Sequence, residues 1–174
     1  TLTFAEDVLK QAAAEGATVI PVTHQNVLPP SDLFSRGFVI NNSDEVKKLF
    51  KKYNISLCLS GHAHLQHTSE EDGLTQIITE SLSVYPLQYG ILTVSGNNWH
   101  YENRELGIRK EESKQRFDAN TLSQVDEVLK RLNLSEDEKK AMEDLAVTAN
   151  EEFFSGKQMT LNKDDPAYQL WVTY

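Results

Sequence analysis

The sequence predicts an α/β fold with a mixed sheet, followed by a small helical extension. Three observations predict it. Amphipathic segments alternate with short apolar runs over the first sixty residues, in the order helix, strand, helix, strand. Both apolar runs end in histidine, at His24 and at Gly61-His62-Ala63-His64. From about Lys110 onward the pattern turns to charged segments with a helical period and capping residues. The chain therefore divides into residues 1–107, carrying the histidines, and a helical extension over 111–174.

Taken in order, Thr3 to Glu15 reads as a helix. Thr3 and Glu6 have capping-box spacing, Phe4, Val8, Leu9 and Ala12 line one face, and Gly16 ends it. Ala17 to Val22 reads as a strand leading to His24. Gln25 to Asn42 is an irregular loop carrying Pro29, Pro30 and Gly37, and it lies where substrate contacts collect in such folds. Arg36 is its candidate phosphate-binding residue, because a guanidinium can meet phosphate oxygens bidentately. Ser43 to Tyr53 is a second helix with a stripe of Val46, Leu49, Phe50 and Tyr53. Its acids come first and its lysines later, matching the helix dipole.

Ile55 to Leu59 is a nearly continuous apolar run, as in a strand covered on both faces. The single cysteine, Cys58, falls inside it and reads as a small core residue, so no disulfide framework exists. His67 stands among Thr68, Ser69, Glu70 and Glu71 and reads as a solvent loop. Leu74 to Thr79, Tyr89 to Val94 and Trp99 to Glu105 read as strands extending the sheet antiparallel, with a tight turn at Gly96-Asn97-Asn98 and His100 half exposed in the last. In the extension, Thr121 with Gln124 caps one helix and Ser135 with Glu138 another. Asp165-Pro166 opens a short third.

The histidines carry the chemistry. Neutral imidazole is a common ligand for zinc, iron and manganese-type ions. Residues two apart in an extended chain share a side, so His62 and His64 can face one cavity. In open α/β sheets ligands bind beyond the carboxyl ends of strands, where His24, His62 and His64 fall. Asp32, Asp72 and Glu80 are the nearest carboxylates in sequence and read as solvated.

The blocks Val19-Ile20-Pro21-Val22-Thr23-His24 and Ser60-Gly61-His62-Ala63-His64 resemble the last two signature blocks of the calcineurin-like metallophosphoesterases. The resemblance covers roughly residues 1–107. It implies the C-terminal half of a four-layer αββα sandwich and a phosphatase or phosphodiesterase activity at a dinuclear metal centre. It also implies that His24 and His62 bind one divalent ion and His64 the other, with Mn, Fe or Zn as the metals. The family's Asp-x-His, Gly-Asp-x-x-Asp and Asn-His blocks do not occur here. The expectation is that catalytic residues lie upstream in a missing N-terminal half, and that this chain alone binds at most one metal and hydrolyses little. The other readings are a non-catalytic α/β module whose helical tail binds a protein, and a self-contained mononuclear zinc hydrolase.

A net charge of −9 disfavours nucleic acid and anionic lipid as partners, while a phosphoester substrate is compatible with it because metal charge dominates inside a site. No apolar stretch approaches a membrane span. The compartment is left open, since any signal would lie in the missing part.

Overall fold

The computed structural model describes residues 2–31, 36–96, 98–157 and 161–174. Its architecture is mixed α/β, with five helices and a small mixed sheet among the described residues. The elements are α1 (Leu2–Ala14), α2 (Ser43–Lys52), β1 (Leu57–Ser60), β2 (His67–Glu71), β3 (Leu74–Ile78), β4 (Gln88–Ser95), β5 (Asn98–Glu105), α3 (Lys110–Leu129), α4 (Glu136–Phe154) and α5 (Pro166–Thr173). The chain forms two compact units. One is Thr1–Ser81 with Tyr89–Arg104, and the other is Leu82–Gln88 with Glu105–Tyr174.

In the first unit the strand order is β1-β3-β2. β1 runs parallel to β3, with Leu57 opposite Thr75, and β2 runs antiparallel to β3, with His67 opposite Ile78. The expected strand over Ala17 to Val22 is present as an extended segment with a single parallel bridge, Val22 to Leu59. Pro21 explains the brevity, because its nitrogen carries no proton for the ladder. Its carbonyl still accepts from Leu59 N at 2.9 Å, and Thr23 N donates to Leu59 O at 2.9 Å. β4 and β5 pair in a separate two-stranded sheet and do not extend the first one. Asn97, in the expected turn between them, lies outside the described residues.

Four further expectations are corrected. Residues 67–71 are a strand, not a loop. The hairpin turn Asp72-Gly73, with both residues at positive φ (49° and 81°), is the two-residue geometry that matches strand twist. The helix α1 starts at Leu2, so Thr3 lies within it. Glu6 reaches Lys52 of α2 at 2.6 Å. Its apolar stripe is split, with Leu9 in the core but Phe4 and Val8 at 70% and 49% exposure. Glu80 is buried rather than solvated.

The core of this unit joins Leu9, Val27, Leu28, Phe50, Ile55, Cys58 and Leu74, with Val19, Ile40, Val46, Leu49 and Tyr53 packed against it. Burial pushes the Cys58 thiol up to about 12, so it is a packing residue and not a nucleophile. The buried Gln76 of β3 holds the loop that crosses the core. Its Oε1 accepts from Val27 N at 2.6 Å and Leu28 N at 3.0 Å, and its Nε2 donates to Leu28 O at 2.8 Å.

In the second unit α3 packs on α4 and α4 on α5. α3 is one helix of twenty residues, so Thr121 does not cap it; Thr121 is buried and accepts from Asn150 Nδ2 of α4 at 2.9 Å. The Ser135–Glu138 capping box is formed, and Asp165 caps α5 through Ala167 N at 2.7 Å. Tyr85 and Phe154 flank Phe117 at ring-centroid distances of 5.9 and 5.4 Å, drawing residues 82–88 into the helical core. Trp171 Nε1 donates to Met142 O at 3.0 Å. No helix among the described residues is long and apolar enough to cross a membrane.

Gln76→Leu should lower unfolding stability by about 3 kcal/mol, because three buried backbone groups lose their partner. A urea denaturation midpoint close to the wild-type value would contradict the bridging role. Burial also holds the His67 imidazole below its ordinary range. The folded state thus resists protonation, so this contribution is present above an unfolded pKa of about 6.5 and is lost as pH falls through the lowered folded value. His67→Gln should flatten the fall in urea midpoint between about pH 7.5 and pH 5 relative to wild type.

Candidate metal centre

His24 and His62 meet because their two chain segments run side by side. The hydrogen bonds of Pro21 and Thr23 to Leu59 set the register, and Gly61 N donates to His24 O at 3.2 Å just beyond the end of β1. The Ser60 hydroxyl donates to Asn26 Oδ1 at 2.7 Å, a buried bond tying the residue before Gly61 to the residue two after His24. The loop then closes on itself at the parallel bridge Asn26–Val39, with Asn26 N donating to Phe38 O and Ile40 N to Asn26 O. Gly37 and Phe38 are thereby returned to His62. Asp32, which the sequence offered as a nearby carboxylate, lies outside the described residues.

The result is a pair of imidazoles with His62 Nδ1 and His24 Nε2 at 3.1 Å, rings edge to face at a centroid distance of 4.9 Å. Two nitrogens each about 2.1 Å from one ion, at right-angle or tetrahedral separation, lie roughly 3.0–3.4 Å apart. The pair therefore fits two adjacent positions on one metal. On its other side His62 Nε2 lies 3.1 Å from Gly37 O. A carbonyl only accepts, so Nε2 carries the proton and the Nδ1 lone pair faces His24. This is the support that ligating imidazoles ordinarily receive from their surroundings, fixing tautomer and ring plane together. Gln25 Nε2 donates to the same carbonyl at 3.4 Å, and the Phe38 ring lies 5.4 Å from that of His62.

The backbone at the histidines is left-handed. His62 has φ 63° and His64 has φ 56°. Such a conformation costs a non-glycine residue about 1 kcal/mol or more and collects at functional sites. It also corrects the extended-chain reasoning, because residues 61–64 follow β1 as a tight turn and the side-to-side alternation of a strand does not apply to them. His64 is exposed and does not join the His24–His62 pair. Among the described residues no three or more His, Cys, Asp and Glu side chains converge as a metal-holding group. Asp72 stands in the β2–β3 turn. The residues present thus fit part of one ion's coordination sphere, and no bridging carboxylate for a second ion stands beside them among the described residues.

Arg36 is exposed, adjacent to Gly37, and forms no ion pair among the described residues. No role at the site is read from the sequence for Gly37, Asn26 or Ser60, although Gly37 at φ 83° is the kind of position a tight turn reserves for glycine. A comparison with protein-family models finds no match, and none of the curated proteins matches the chain.

Imidazole nitrogen NMR should find His62 protonated at Nε2 and bare at Nδ1, with the Nδ1 resonance moving when zinc is added. An Nδ1-protonated His62 would contradict the hydrogen bond to Gly37.

Proposed function

We propose that this chain is the histidine-bearing C-terminal portion of a metal-dependent phosphoesterase of the calcineurin-like type. The observation that carries the reading is the His24–His62 pair, held at metal-ligand spacing with the His62 tautomer set by the Gly37 carbonyl. The left-handed backbone at His62 and His64 supports it, as does the position of both turns beyond the carboxyl ends of parallel segments. The four-layer sandwich belongs to this proposal, with the mixed sheet of the first unit as its C-terminal part.

In the intact enzyme His24 and His62 would hold one divalent ion and His64 would serve a second. Bound there, such ions would supply Lewis-acid polarisation of a phosphoryl oxygen and activation of water. The chain's own residues do the positioning. Gly37 O and Phe38 orient His62, Ser60 and Asn26 join the two turns, and the exposed Arg36, next to Gly37 in sequence, would offer a cation to substrate phosphate. Two imidazoles are neutral, so a second dication needs carboxylates that this chain does not bring to the site among its described residues. A three-histidine mononuclear site draws less support, because His64 stands apart from the pair.

The test compares the 174-residue chain with the product of its complete natural reading frame. The chain alone should bind one zinc or cobalt ion and hydrolyse p-nitrophenyl phosphate or its bis ester barely above background. His62→Ala should weaken binding by at least about tenfold. The complete product should turn over phosphoesters with added Mn, Fe or Zn and should carry the Asp-x-His, Gly-Asp-x-x-Asp and Asn-His blocks. Robust turnover by the short chain, or a complete product without those blocks, would overturn the proposal.

A further inference from the structure

We propose that Tyr101 is a positioning residue for the histidine turn, acting through Gln66. The inference rests on the reading of His62 and His64 as ligands. The left-handed turn at Gly61–His64 needs an anchor on each side to persist. Upstream, Ser60 is held by Asn26 and by Thr79 N, which donates to Ser60 O at 3.0 Å. Downstream, Leu65 and Gln66 are buried immediately after His64, and the Tyr101 hydroxyl of β5 donates to Gln66 Oε1 at 3.0 Å. Thirty-five residues of chain separate the two partners.

Gly90 of β4 makes that reach possible. A Cβ at Gly90 would stand 2.5 Å from both Oη and Cε2 of Tyr101, closer than any side chain tolerates. Glycine inside a strand is disfavoured on its own account and marks a close approach. Here the approaching group is the ring whose hydroxyl holds Gln66. The three residues form one device spanning β4, β5 and the end of the histidine turn.

Tyr101→Phe removes the hydroxyl and keeps the ring. The amide resonances of His62 to Gln66 should shift in the metal-free chain. Cobalt affinity, read from visible absorption, should fall by about threefold, less than the roughly tenfold loss expected for a group bonded directly to a ligand, with the thermal midpoint near wild type. Gln66→Met should do the same from the other side, and the double variant should be no weaker than either single one, since both remove one bond. Gly90→Ala should reproduce the shifts by displacing the ring. Unmoved resonances, an unchanged cobalt affinity in Tyr101→Phe, or additive losses in the double variant would overturn the proposal. If the wild-type chain takes up no cobalt while Tyr101→Phe moves the resonances, the positioning role stands and the metal reading falls.

Discussion

The bifurcated grip of Gln76 on Val27 and Leu28 is the interaction on which the first unit depends. Just after His24, Val27 and Leu28 enter the core outside any strand, and their buried backbone groups need partners. One side-chain amide supplies three of them, two as acceptor and one as donor. An amide matches this task because it carries both functions in one plane, as the backbone does. With Val27 and Leu28 fixed under β3, Asn26 is buried where Ser60 can reach it, and His24 is left at the start of the loop facing the end of β1.

From that anchor the site geometry follows in steps. Asn26 pairs with residues 38–40, which brings the Gly37 carbonyl onto His62. The carbonyl selects the tautomer, and the tautomer turns a lone pair toward His24. At 3.1 Å the two ring nitrogens are close enough to share one proton between them, or one cation. The strain of two left-handed residues within three positions is offset by buried neighbours on both sides, Ser60 before and Leu65 with Gln66 after. That is how a packed scaffold sustains a local conformation that its own backbone disfavours.

Much of this was legible in the sequence. The apolar run at Ile55–Leu59, the stripe of α2, the Ser135–Glu138 box and the Asp165-Pro166 start each rest on local chemistry, and local chemistry is what a sequence displays directly. The meeting of His24 and His62 was legible too, since both follow apolar runs expected to pair in parallel. Less legible were features set by long-range partners. The polar run His67–Glu71 becomes a strand because β3 offers it an edge, and only Asp72-Gly73 announced the hairpin. Thr121 carried a capping signal that α3 overrode, because a half-buried Asn150 on α4 satisfies its buried hydroxyl inside the helix. The exposure of Phe4 and Val8 could not be read from period alone, which identifies a face without saying how much of it is covered.

The charge balance of the site limits what these residues can do by themselves. Two neutral imidazoles add no negative charge, so a single dication beside them keeps its full +2, and a second one a few ångströms away would meet repulsion that only anionic ligands offset. The acidic surface does not serve this purpose, because surface carboxylates pair with lysines elsewhere: Glu6 with Lys52, Glu71 with Lys47, Asp126 with Lys139. These carboxylates lie at the surface, where water screens their charge. A two-metal centre built on this pair therefore requires carboxylates delivered from outside the described residues. The same requirement explains why imidazole geometry can be well formed here without hydrolytic power following from it.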